Sequence, residues 1–272
     1  MKVTSYSTKG NSFPITIEDE EQKYFVKLKA GMSGQYGLIT EWIGNKIGLQ
    51  LGIKTQLPYW IHLNNSLIVD DLYIEVKELI TKSYGTNIGF KYLEDVTEIN
   101  FSKVNHFSKS QFDEIYLFDL MMINLDRTES NMNLMKVEDQ IISVDYESSM
   151  LIQEILECKN LLTDDRVLQG LRNNPLYKNI NENQVDEFIL KINTISIDKI
   201  IEEIPIELLS ADRRAILKNG FNKKRKNNWQ LQETLAKLKN INKVSNADKK
   251  LLRARNQAAF KRKFKENINN IK

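Results

Sequence analysis

Cysteine occurs once in this chain, at Cys158, and histidine only twice, at His62 and His106. A single thiol excludes a disulfide within the chain. One Cys and two isolated His also fall short of the four ligands of a structural zinc site. No apolar run approaches the roughly 18–20 residues of a membrane span. The opening residues, Met1 to Ser5, lack the apolar core of a secretion signal. These absences lead us to expect a globular protein of the reducing cytoplasm with no membrane part. No internal repeat is visible. What is there is a chain of 272 residues, 41% hydrophobic and 28% charged. That length suffices for one large or two modest domains.

The net charge of +3 conceals an asymmetry. From Asn222 to the end, 16 Lys or Arg stand against 3 acids, whereas the preceding 221 residues carry 23 basic and 33 acidic side chains. An acidic body with a basic tail reads either as a solvated pair of helices or as a contact surface for nucleic acid or an acidic protein.

The most informative stretch runs from Phe118 to Tyr146. Leu117, Leu120, Met121 and Ile123 end an apolar helix, and the polar run Asp126 to Asn131 follows. Met132, Leu134 and Met135, the turn Val137-Glu138-Asp139 and the alternating residues Gln140 to Val144 form a hairpin that delivers Asp145. Asp126 and Asn131 satisfy D-x-x-x-x-N, the spacing of a kinase catalytic Asp and its metal-binding Asn. Asp145 stands where the metal-binding Asp of D-F-G belongs. Phosphoryl transfer needs these groups: one carboxylate near the acceptor hydroxyl, and oxygen ligands for Mg²⁺. A polar loop whose acids only cap and solvate is the plainer alternative.

The N-terminal third supplies further parts. Phe13 to Ile17 and Tyr24 to Lys29 alternate as strands, with a Ser- and Gly-bearing turn at Ser7 to Ser12 before them. Lys27, in Phe25-Val26-Lys27-Leu28, is similar to the V-A-I-K lysine that neutralises nucleotide phosphates; Lys29 is its rival. A helix is expected from about 38 to 51, and its Glu41 is the natural partner for Lys27. Tyr73 to Leu79 reads as a strand entering the linker between lobes, which makes Val76, Glu78 and Leu79 candidates for main-chain contact with adenine. Helices are expected from Ser110 onwards and, after Asp145, over 149–162, 164–172, 184–193, 207–219, 229–240 and 246–268, with Gly220 as a C-cap. The expected divisions are 1–80 for a β-rich lobe, 81–221 for a helical lobe and 222–272 for a basic helical extension. The fold class is α+β, two-lobed and protein-kinase-like.

Tyr24-Phe25-Val26-Lys27, Thr40-Glu41-Trp42 and, most specifically, Asn124-Leu125-Asp126-Arg127-Thr128 with Asn131, Asn133 and Leu134 resemble the HipA-like kinase family. The similarity covers roughly residues 8–160 and is greatest to the shorter members that carry the kinase domain alone. The resemblance implies an ATP- and Mg²⁺-dependent kinase acting on serine or threonine hydroxyls, with Asp126 as catalytic base or acceptor-orienting residue. It implies Asn131 and Asp145 as Mg²⁺ ligands, Lys27 on the ATP phosphates beside Glu41, and Gly10 to Ser12 as the phosphate loop. By the same analogy Ser12, then Ser7 and Thr8, are sites of self-phosphorylation, and a toxin–antitoxin role follows by analogy alone. Asn124 replaces the His of H-R-D, Asp145-Tyr146-Glu147 replaces D-F-G, and no A-P-E follows, so no conventional activation loop is expected. Two alternatives stay open: a small-molecule kinase, and an idle nucleotide-binding module whose basic tail binds nucleic acid or a protein.

Overall fold

The computed structural model describes residues 1–7, 13–19, 21–67, 72–102, 109–177 and 180–241. Strands β1 (Lys2–Tyr6), β2 (Ile15–Glu18) and β3 (Lys23–Lys27) lead to helix α1 (Gly34–Leu51). Strand β4 (Pro58–Leu63), helix α2 (Ile74–Lys82) and strand β5 (Gly85–Lys91) follow. The five strands form one antiparallel sheet in the order β1-β2-β3-β5-β4. Residues directly opposite in an antiparallel ladder share a face. Lys27, Ile88 and Trp60 therefore make one row across β3, β5 and β4, with Phe25, Phe90 and Pro58 in the next. This face carries α1, through Ile39, Trp42 and Ile43. The opposite face, with Ile15, Ile17, Val26 and Leu63, is covered by Val76 and Ile80 of α2.

The rest of the chain is mainly helical. A small sheet of β6 (Thr97–Glu98), β7 (Leu134–Val137) and β8 (Gln140–Ser143) holds the expected hairpin, preceded by helix α3 (Lys109–Met122). Helices α4 (Leu151–Leu156), α5 (Asp165–Arg172), α6 (Glu182–Asn193), α7 (Ile197–Glu202), α8 (Ala211–Lys226) and α9 (Leu231–Lys239) complete the described part. Their starts carry local signals: Asp164 caps α5 and an Asn181/Gln184 capping box opens α6. Helix α3 is buried along most of its length from Phe112 to Met122, which suits the axis of a helical lobe. Among the described residues no helix is long and apolar enough to cross a membrane.

Four expectations need correction. Residues 73–79 are not a strand: Ile74–Lys82 is helix α2. The alternation of Ile74 and Val76 suggested β, but Val76 and Ile80 lie one helical turn apart on the buried side and Glu78 pairs with Lys82. The sheet consequently runs past residue 80, to Lys91 at the end of β5. Gly220 does not end a helix. It lies inside α8, where a Cβ would collide with Ile155 Cγ2, so it serves close packing against α4. The boundary expected at 222 falls within α8 as well, and α9 packs through Leu231, Leu235 and Leu238 into the main core. Two basic residues of that stretch are spent internally: Lys224 pairs with buried Glu154 at 3.0 Å, and Arg225 donates to the Ile195 carbonyl at 2.8 Å. The helix expected at 246–268 lies outside the described residues.

Candidate active site

The loop after α3 is built on one buried cation. Arg127 is 1% exposed. Its Nε donates to Asp119 Oδ2 at 2.5 Å, its Nη2 to Ser143 Oγ at 2.8 Å, and its Nη1 to the carbonyls of Met132 and of Asn133, the latter at 2.9 Å. Asn124 and Asn174 donate to the oxygens of the same Asp119 at 2.9 and 2.8 Å. A buried pair satisfied on all sides fixes geometry, and removing one member strands the other's charge. Arg127→Leu should therefore cost about 3–5 kcal/mol of stability. Urea unfolding checks this, and Asp119→Leu added to Arg127→Leu should recover much of the loss. An unchanged midpoint for the single variant would contradict the structural role.

On this base Asp126 is held by two amides. Asn131 Nδ2 and Asn133 Nδ2 both donate to its Oδ2, at 2.9 and 3.0 Å. Thr128 and Asn131 exchange backbone hydrogen bonds, which closes the turn between them. Asn133 has φ 47°, a left-handed conformation that Asn tolerates. Burial raises the pKa of Asp126, the charge of Asp145 adds to the rise, and Asn133, Lys27 and Arg127 oppose it.

The second half of the site gathers around Lys27. Its Nζ lies 2.7 Å from Asp145 Oδ1, 3.1 Å from Glu41 Oε2 and 3.2 Å from Glu147 Oε2. Glu41 is 1% exposed, and its other oxygen accepts from Asn45 Nδ2 at 2.9 Å. Asp145 has φ 66°, a left-handed conformation that Asp, like Asn, adopts more readily than most residues and one that is found at functional sites. Tyr146 beside it is buried against Phe118, and Gly44 of α1 allows the approach, since a Cβ there would come within 2.7 Å of Tyr146 Cβ. Carboxylate oxygens of Glu41, Asp145 and Glu147 lie within 4.8 Å of one another, so the cluster is a seat for a cation. Lys27 occupies it here.

One ammonium faces three carboxylates. Burial alone would lower the Lys27 pKa, but Asp145, Glu147 and Glu41 outweigh it and hold Lys27 protonated well above the usual lysine range. The carboxylates share a single counter-charge. Burial pushes Glu147 up to about 7 against the pull of Lys27, and Asp145 and Glu41 add to the rise. A carboxyl whose pKa rises on folding binds a proton that the unfolded chain releases, so stability falls as pH climbs from about 4.5 to about 7. Glu147→Gln should remove this dependence and stabilise the protein at pH 8 by about 1–3 kcal/mol, with little effect near pH 4.5. Calorimetric melting in Mg²⁺-free buffer measures it, and equal shifts at both pH values would contradict it.

The structure thus brings Lys27, Glu41 and Asp145 together, and Asp126 with Asn131. Lys29, the rival lysine, donates to the Tyr84 carbonyl instead. Gly10 and Ser12, with Thr8, lie outside the described residues. Val76, Glu78 and Leu79 sit on α2, which covers the sheet face opposite Lys27, so the adenine contacts expected there are displaced by the same correction that replaced the strand. Three residues had not been given a role: Glu147, Asn133 and Arg127. The signal for Asn133 and Arg127 was present in the Asp126-Arg127 and Asn131-x-Asn133 spacing. That for Glu147 was an acid at the position of the D-F-G glycine.

Comparison with known proteins bears on the fold and the family. One solved structure that it resembles is a Helicobacter pylori proinflammatory kinase, CtkA. The match covers 87% of this chain and 97% of that one, with a TM-score of 0.51 and 16% identity, a likeness of fold. No curated protein sequence matches the chain. A family model described as HipA-like kinase matches residues 1–240, well beyond the 8–160 in which the resemblance was visible. The chain belongs to the HipA-like kinase family.

Proposed function

We propose that this kinase transfers the γ-phosphoryl group of ATP, with Mg²⁺, to a serine or threonine hydroxyl of a protein. The observation that carries the reading is that the Lys27 ion-pair group and the amide-held carboxylate of Asp126 lie within electrostatic reach of each other, the charges of Asp145 and Lys27 both acting on Asp126. Lys27 presents a fixed positive charge to the α- and β-phosphates, with Glu41 holding it in place. Asp145 and Asn131 fit Mg²⁺ by the chemistry of their donors. The Asp145 side chain is 36% exposed, and the Asn131 NH₂ donates to Asp126, which leaves its amide oxygen as a hard ligand. Mg²⁺, when bound, supplies neutralising charge at the phosphate oxygens.

Both amides engage Oδ2 of Asp126 and leave Oδ1 for the acceptor. The acceptor oxygen bonds to the γ-phosphorus as the bond to the β–γ bridging oxygen breaks. ADP keeps that electron pair, and the hydroxyl proton passes to Asp126. A raised pKa makes Asp126 a better proton acceptor than a solvated carboxylate. In place of residues 76–79, the connection after β5, at Leu93 and Glu94, is our candidate for main-chain contact with adenine. The Tyr92 N–H is already donated to the Lys23 carbonyl.

The test is transfer of label from γ-³²P-ATP to a generic protein acceptor such as casein, followed by phosphoamino-acid analysis. Phosphoserine or phosphothreonine is expected, with transfer lost in EDTA and restored by Mg²⁺. Transfer that persists in EDTA, or label on another residue type, would overturn the respective part of the proposal.

A further inference from the structure

Helix α1 must sit at the right depth for Glu41 to meet Lys27, and the structure fixes it from an unexpected direction. Trp42, the residue after Glu41, stacks on Trp60 of β4 with ring centroids 4.5 Å apart and planes 19° from parallel. Trp60 lies in the same cross-strand row as Lys27, with Ile88 between them. Both indole N–H groups then donate to one segment of the helical lobe: Trp42 to the Ile200 carbonyl at 3.2 Å and Trp60 to the Glu203 carbonyl at 3.0 Å. Glu203 also pairs with Lys46 of α1 at 2.9 Å, and Lys46 lies over the Trp42 ring. The segment itself is firm. Ile200 and Ile201 are buried, and Arg214 donates to the carbonyls of Ile201 and Ile204.

We propose that Trp60 is a positioning residue for the Lys27–Glu41 pair: through Trp42 it pins α1 between the sheet and the 200–203 segment. The pair then needs no activation loop to assemble it, because the helical lobe holds α1 from behind. The inference rests on the reading that Lys27 binds ATP phosphates. It differs from that reading in assigning the control of nucleotide affinity to a tryptophan outside the ion-pair cluster.

The test uses the full chain and Mg·ATP titration calorimetry. Trp60→Leu keeps apolar bulk on an edge strand but loses the stack and the N–H. It should weaken Mg·ATP by about tenfold. Trp60→Phe keeps the stack and should stay within about threefold of wild type. The deciding measurement is the Glu41→Gln background. If Trp60 acts through Glu41, Trp60→Leu adds no further loss there, whereas a general structural defect would add the same factor in both backgrounds. Wild-type affinity in Trp60→Leu, or additive losses, would overturn the inference alone. Absence of Mg·ATP binding by the wild type would overturn the nucleotide reading and the inference with it.

Discussion

Asp126→Asn should lower phosphoryl transfer by about 10²–10⁴-fold, the contribution of a positioned general base. Mg·ATP affinity should change by less than about threefold, since the substitution removes a group used in the transition state and not in nucleotide binding. The replacement keeps the shape of the side chain and an oxygen for the amides of Asn131 and Asn133, so the loop should survive. What goes is the proton acceptor. Burial raises its pKa and the charge of Asp145 adds to the rise, which places it closer to the working pH than a solvated Asp. Steady-state rates beside calorimetric titration separate the two effects. A variant within tenfold of the wild-type rate would show that Asp126 is not the base.

Lys27→Met should be nearly as damaging, for two separable reasons. It deletes the charge aimed at the nucleotide phosphates, and removing such a preorganised electrostatic group costs about 10²–10³-fold in rate. It also strips three carboxylates of their shared counter-ion. Breaking a buried ion pair by removing one partner costs about 3–5 kcal/mol. The carboxyls can relieve that cost by taking up protons. With Lys27 gone the folded-state pKa values of Glu41 and Glu147 rise further above their unfolded values. Their penalty is then fully present above the folded pKa and fades as pH falls. The destabilisation relative to wild type should therefore be greater at pH 8 than at pH 5.5. Thermal melting at the two pH values checks it, and a pH-independent difference would show that the acids are not coupled through Lys27.

Much of the site was legible because its chemistry is local in sequence. Asp126, Asn131 and Asp145 belong to one helix–loop–hairpin unit, whose spacing is set by the turn and the two short strands. Lys27 and Glu41 were legible from a strand followed by a helix. Of the residues without an assigned role, Glu147 has its partner distant along the chain, whereas Asn133 and Arg127 find Asp126 and Asp119 within the same helix–loop–hairpin unit. Arg127 is a charged residue in a polar run, and nothing local says that Asp119 and Ser143 bury it. Glu147 looks like an ordinary surface acid until β3 brings Lys27 to it across 120 positions. The misplaced adenine contacts had a different cause. Over Tyr73 to Leu79 the apolar pattern fits a period of 2 as well as 3.6, and only packing against the outer face of the sheet decides for the helix. Gly220 shows the same limit, since a glycine that permits close packing and one that ends a helix look alike in sequence.

Intact-mass spectrometry of the purified protein incubated with Mg·ATP and casein, beside Asp126→Asn, tests the central claim most directly. A gain of phosphate on casein or on the protein itself, present in wild type and lost in the variant, is the result the account predicts. Peptide mapping would then say whether Ser12, Ser7 or Thr8 carries any self-modification. Equal phosphate gain in both proteins would contradict the role of Asp126, and no gain on either acceptor together with no Mg·ATP binding would contradict the kinase chemistry assigned to this site.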